Sequence, residues 1–298
     1  MPSSKVTILL SILTLFALLA SCNLLDPDEP IPSYIKVKGV SLSTDYATEG
    51  TDSHNIFDLW FVHNGNIVAT VPQPATVPIL QEKGKEVSIY PGIKDNGTST
   101  NRAIYPFLEP ITVSIDFEPG KVYEYTRDDI VFKYKDNVKF LWLEDFESET
   151  MSLQPVISNG AAYNRTKEGS KVFEGEASLR IVMNQENNTM AVQSFDEFFG
   201  KDFSLGSPVY LEINYKNEAP LQIGYLFRSP DNILQYDDPF IYLRESEGEW
   251  RKTYINLTDN VTLLQNEASV KLYFASILAS DVDRAEMLID NIKLLTFE

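Results

Sequence analysis

From residue 34 onward the chain is built of short runs in which apolar and polar residues alternate. Ile35-Lys-Val-Lys-Gly-Val-Ser-Leu-Ser43 alternates apolar and polar residues, the mark of a half-buried strand, because successive strand residues point to opposite faces. Asp58-Leu-Trp-Phe-Val62 and Ile67-Val-Ala-Thr-Val71 flank His63-Asn64-Gly65-Asn66. Asn-Gly between two β-rich runs predicts a hairpin, since both residues tolerate positive φ. Val87–Tyr90, Ile111–Phe117, Val122–Tyr125 and Ile130–Tyr134 continue the series. About seven strands with turn residues between them and no helical period predict a β-sandwich.

The second half repeats the theme with longer loops rich in Asn, Asp and Gly. Strands are expected at Ser178–Val182, Val209–Tyr215, Leu221–Phe227, Phe240–Arg244, Trp250–Leu257, Val270–Ala275 and Met287–Leu295. One helical piece is expected at Ser194–Phe199, with Ser194 as its N-cap. The fold class is therefore all-β, two sandwiches in tandem. The pattern divides the chain into a leader (1–21), a Pro-rich acidic tether (22–33), a first sandwich (34–137) and a second (138–298).

Alternation also predicts a ligand face. In 209–215 the apolar set Val209, Leu211, Ile213 and Tyr215 suits the core, which turns Tyr210, Glu212 and Asn214 outward. In 221–228 the same reading leaves Gln222, Leu226 and Arg228 outward, and in 270–274 it leaves Lys271 and Tyr273. Tyr236 lies in a loop reading with Asp237 and Asp238 and is expected at the rim. Tyrosines, amides and charged groups on one sheet suit sugars, which need planar stacking surfaces and paired hydrogen-bond groups. The same composition also describes a wet sheet face without a ligand. Trp250 is expected in the core or at a rim.

Charge narrows the partners. With 43 acidic and 25 basic side chains the formal net charge is −18, which argues against nucleic acid, whose phosphates need a basic patch. Cys22 is the sole cysteine, so no disulfide staples the fold. Enzyme signals are poor: His54 and His63 both fall in turns of the first half, and no H-E-x-x-H, G-x-S-x-G or phosphate loop occurs. The chain is read as not an enzyme, although a pair of carboxylates for glycoside hydrolysis could hide among so many acids.

Four sets of residues resemble known families. Lys5, the apolar run Val6–Leu19 and Leu19-Ala20-Ser21-Cys22 resemble the signal peptide and lipobox of bacterial lipoproteins. The resemblance implies cleavage before Cys22, lipidation of that residue and attachment to a membrane; two acyl chains already give stable anchoring. Asp26, Asp28 and Glu29 close behind Cys22 resemble the export signal of Bacteroidota-type surface lipoproteins, which implies display on the outer membrane. Trp60–Thr70, Pro74–Leu80 and Glu86–Ile93 resemble the PEGA domain, a small Ig-like spacer.

Asp145-Phe-Glu147, Phe173-Glu-Gly-Glu-Ala-Ser-Leu-Arg-Ile181, Trp250–Leu257 and Leu288-Ile-Asp-Asn-Ile-Lys-Leu294 resemble galactose-binding-like jelly rolls, the fold of many carbohydrate-binding modules. In such relatives the positions of Glu147 and Asp290 often hold a structural Ca²⁺, completed by oxygens of the Lys171–Glu176 loop. Three readings stay open. The first is a surface lipoprotein that binds glycan or another extracellular polymer. The second is an assembly partner for an envelope protein, and the third a glycan-active hydrolase.

Overall fold

The computed structural model describes residues 29–80, 85–157, 160–229, 231, 234–236, 241–261, 264 and 268–298. Cys22, its leader and most of the tether lie outside the described residues, as do Asp237 and Asp238. The fold is all-β, with only two single-turn α-helices among the described residues, α1 (Tyr46–Glu49) and α2 (Thr258–Val261).

The first half carries ten described strands: β1 (Ser33–Val37), β2 (Ser41–Leu42), β3 (Asp58–His63), β4 (Asn66–Pro72), β5 (Ala75–Ile79), β6 (Glu86–Lys94), β7 (Arg102–Ile104), β8 (Ile111–Ser114), β9 (Val122–Tyr125) and β10 (Val131–Phe132). A sheet in the order β4-β3-β6-β7, with β8 also on β6, faces a smaller one in the order β5-β1-β9. Ile35, Val37, Leu59, Phe61, Val87 and Ile89 fill the space between them. The β3–β4 hairpin turns where Asn-Gly predicts it, with Asn64 and Gly65 at φ 51° and 76°. Ala75–Ile79, not among the strands predicted from alternation, is a strand on β1; its Pro78 is tolerated because β5 is an edge.

The second half adds β11 (Val138–Glu144), β12 (Leu153–Pro155), β13 (Tyr163–Thr166), β14 (Ser178–Asn184), β15 (Thr189–Ser194), β16 (Phe198–Phe199), β17 (Tyr210–Asn217), β18 (Leu221–Arg228), β19 (Leu234–Tyr236), β20 (Ile241–Leu243), β21 (Arg251–Asn256), β22 (Ser269–Ile277) and β23 (Arg284–Phe297). They form two sheets. The inner one, in the order β13-β14-β23-β17-β21, is built on β23, whose second edge pairs with β14 and then β11. The outer one runs β12-β15-β22-β18-β19, with β16 on β22 and β20 on β18. Leu211, Ile213, Ile223, Leu272, Phe274 and Ile289 lie in the core between the sheets.

The helix expected at Ser194–Phe199 does not form. β15 runs to Ser194, the Ser194 hydroxyl donates to the Asp196 carbonyl, and Phe198 is buried as β16 against Val270. Burying one phenylalanine at a sheet edge outweighs the weak preference of a six-residue helix.

The inner sheet is buried on both sides. Tyr210, Tyr254 and Leu295 belong to the apolar core of the first half, with the Tyr210 ring 5.5 Å from Tyr105 and 5.9 Å from Phe107. The loop after β6 also runs along the edge of β21: Asn96 N–H donates to the Tyr254 carbonyl, and Asn256 N–H to the Asn96 side chain. An otherwise open sheet edge is thereby covered.

Candidate functional site

The eight residues expected to share a ligand face divide between two sheets. Tyr210, Glu212 and Asn214 are on β17 in the inner sheet and are 4%, 1% and 1% exposed. They do point away from the core between the sheets, as alternation requires, but the first half of the chain covers that side. The expectation of an open face there is corrected by this packing. The signal for it was in β23, where Ile292–Leu295 is buried at every position; strands covered on both faces lose clean alternation.

Gln222, Arg228, Lys271 and Tyr273 do come together, on the outer face of the outer sheet. Register sets them in rows. Gln154, Gln193, Tyr273 and Gly224 follow one another across β12, β15, β22 and β18. The next row is Ala191, Ala275, Gln222 and Tyr242, and on the other side Lys271 stands beside Leu226 and Tyr236. Only the backbone of Tyr236 is described.

Gly224 gives the face its shape. A Cβ built there would collide with the Tyr273 ring, so the ring lies flat across the glycine. The small side chains of Ala191 and Ala275 leave a low floor on one side of it. On the other side a depression of about 180 Å³ is lined by Gln193, Glu197, Leu226, Arg228, Ser269 and Lys271, among others. Its charges are satisfied internally. Arg228 lies 3.6 Å from Glu197, Ser269 donates to Glu197 at 2.9 Å, and Lys271 donates to the Phe195 carbonyl. The Gln193 Oε1 is buried with no partner among the described residues, so an amide acceptor stands ready for a hydroxyl donor. Glu197 is the one carboxylate among the described lining residues. Gln193, Glu197 and Gly224 were not singled out in the sequence. Their signal was the polar alternation of β15 and a glycine inside a strand, which marks a close approach.

No family model matches the chain, and no curated protein matches it. Solved structures do. A xylan-binding domain of Paenibacillus barcinonensis Xyn10C is 16% identical over 55% of this chain and 98% of that one, with a TM-score of 0.37. The family 11 carbohydrate-binding module of a Clostridium thermocellum cellulase is 13% identical over 53% and 93%, at 0.34. A carbohydrate-binding module of the β-sandwich superfamily is 14% identical over 90% and 99%, at 0.37.

The residues expected to hold calcium do different work. Glu147 Oε1 accepts from the backbone N–H groups of Glu176 and Ala177, at 2.9 and 3.2 Å, and occupies the space a side chain on Gly175 would take. Gly175 has φ 65°. Asp290 accepts from the Ser178 hydroxyl and from Asn291 N–H. Burial, with Glu174 close by, pushes its carboxyl up to about 7. Amide and hydroxyl hydrogens thus occupy Glu147 Oε1 and both oxygens of Asp290. Among the described residues no group of three or more His, Cys, Asp or Glu side chains is placed to hold a metal ion. This donor set does not fit a calcium cage.

Glu212 instead anchors a buried ionic joint between the halves. It accepts from the Tyr105 and Tyr134 hydroxyls at 2.6 and 2.9 Å, and Lys252 Nζ lies 2.8 Å from its other oxygen. Lys293, its neighbour across the β17–β23 ladder, donates to the Thr51 carbonyl at 2.7 Å. Burial alone would raise the Glu212 carboxyl. The Lys252 and Lys293 ammoniums and the hydrogen bonds from Lys252 and Tyr105 outweigh it and hold the group at about 2. Burial lowers Lys293 to about 8 against the opposing pull of Glu212.

Proposed function

We propose that the protein binds a polysaccharide on the outer face of the outer sheet, with Tyr273 as the stacking platform. The observation that carries this reading is the Tyr273 ring laid flat on Gly224 between Gln193 and a low alanine floor. A sugar ring presents an apolar face to such a platform and hydroxyls to the amides beside it. Because Arg228 and Lys271 are already paired within the face, it suits a neutral glycan. Gln222, Arg228 and Lys271 border the platform, and Tyr242, 61% exposed, extends it.

In this reading Cys22 carries the lipid anchor at a bacterial outer membrane, the acidic tether follows, and the first half is an Ig-like stand for the second. A second reading draws on β4, an edge strand whose Ile67 and Val68 are 56% and 45% exposed. Such an edge is suited to pairing with an envelope protein.

The test is retention of the purified chain in gels containing neutral polysaccharides, followed by calorimetric titration with oligosaccharides of whichever one retards it. Tyr273→Ala should weaken binding at least about tenfold, roughly 1.4 kcal/mol, with the melting temperature held. Absence of retention in every gel, or unchanged affinity in the variant, overturns the reading.

A further inference from the structure

The two halves meet around a cleft that the outer-face reading does not use. It has a volume of about 570 Å³ and opens between the loop at 53–55 and the 94–99 turn on one side and β17 and β21 on the other. Fourteen residues line it, and none of the fourteen is acidic. That is unexpected for a chain with 43 carboxylates and a net charge of −18. Its cations are Lys94, Arg251 and Lys252. Lys252 is held by Glu212. Arg251 leans to Glu247 on the surface, at 3.3 Å. Lys94 rests its ammonium 3.8 Å from the centre of the Phe57 ring and has no ion pair among the described residues. His54 also lines the cleft, but burial and then the Arg127 charge lower its pKa, so it is neutral.

Two buried polar groups at the cleft lack partners among the described residues. Asn214 is 1% exposed, and its side chain reaches Ser53 Oγ at 3.0 Å with one end of the amide while the other end is unpaired. Thr253, 4% exposed, has an unpaired hydroxyl. Leaving such groups unpaired and dry is unfavourable, so they point to an occupant with hydroxyls. The remaining wall is aromatic: Trp250 and Phe173 pack with centroids 5.3 Å apart, and Trp250 stays half-exposed to the cleft.

We infer that this cleft binds an acidic sugar, carboxylated or sulfated, as a second site distinct from the outer face. Trp250 supplies the plane for the ring, Asn214 and Thr253 the groups for its hydroxyls, and Lys94 the charge for its anion. A neutral sugar would meet the plane and leave that charge unused. The inference stands whether or not the outer face binds glycan.

The chain holds three tryptophans, so three indole N–H signals report on it by nuclear magnetic resonance. Trp60 and Trp142 lie away from the cleft lining, and a Trp250→Phe variant assigns the third signal. The full-length ¹⁵N-labelled protein is titrated with galacturonate, galactose 6-sulfate and galactose in turn. The Trp250 signal should move saturably with one or both acidic sugars and about tenfold more weakly with galactose. Lys94→Gln should weaken the acidic sugars about tenfold and leave the galactose response alone. A response to only one acidic sugar identifies the anion. Failure of both to move the signal, equal response to galactose, or indifference to Lys94→Gln overturns the inference.

Discussion

At the scale of single residues, Glu212 couples the sheet to the half of the chain that covers it. Its folded pKa of about 2 lies below the ordinary 4.5, so it stabilises the fold fully above pH 4.5. The contribution disappears as pH falls from 4.5 towards 2, because the unfolded carboxyl then takes up the proton first. Lys293 acts in a different window. Its folded pKa of about 8 is below 10.5, so the buried ammonium is a cost below pH 8 that is relieved as pH rises from 8 to 10.5. Glu212→Gln leaves two buried lysines without their carboxylate. The expected loss is about 3–5 kcal/mol at pH 7, and the gap between variant and wild type in urea melts should close as the pH is taken from 4.5 to 2. A gap that stays constant with pH would mean that Glu212 is not ionised in the fold.

The elements show why a sequence gives some of this and withholds the rest. Strands, the Asn64-Gly65 hairpin and the inward set of β17, β18 and β22 were legible because they depend on local dihedral preference and a period of two. Which outward set meets water was not legible, because that depends on what lands on the sheet. Gln222 and Tyr210 look alike in a pattern, yet one borders an open face and the other sits in the neighbouring core. The loop at 171–177 gives a second case. Glu147 and the loop residues do meet, as the jelly-roll resemblance implied, but backbone amides take the carboxylate. Melting curves in calcium and in chelator should therefore superimpose, whereas Gly175→Ala should lower the melting temperature by displacing Glu147 and straining a positive φ. A calcium-dependent rise would restore the metal to this loop.

At the scale of the whole molecule, two sandwiches share one inner sheet as floor and ceiling, which leaves the outer face and the cleft as separate places to hold a ligand. No helix among the described residues is long and apolar enough to cross a membrane. The proposed attachment is through Cys22. Cys22→Ala should move the protein from the membrane fraction to the soluble one in cell fractionation, and persistent sedimentation with membranes would exclude that anchor.

The place of β1 has a mechanical consequence. It lies between β5, antiparallel, and β9, parallel, and the chain reaches it directly from the tether at Ser33. If the chain is held at residue 22 and grips a polymer on its far sheet, as proposed, a pull that reaches β1 from Ser33 along the strand loads both ladders. Both ladders then bear the load in shear, their hydrogen bonds strained side by side instead of opened one after another. The unfolding rate under load governs how long such a grip survives, and under a pull along its axis the bonds of this central strand to β5 and β9 would share the load.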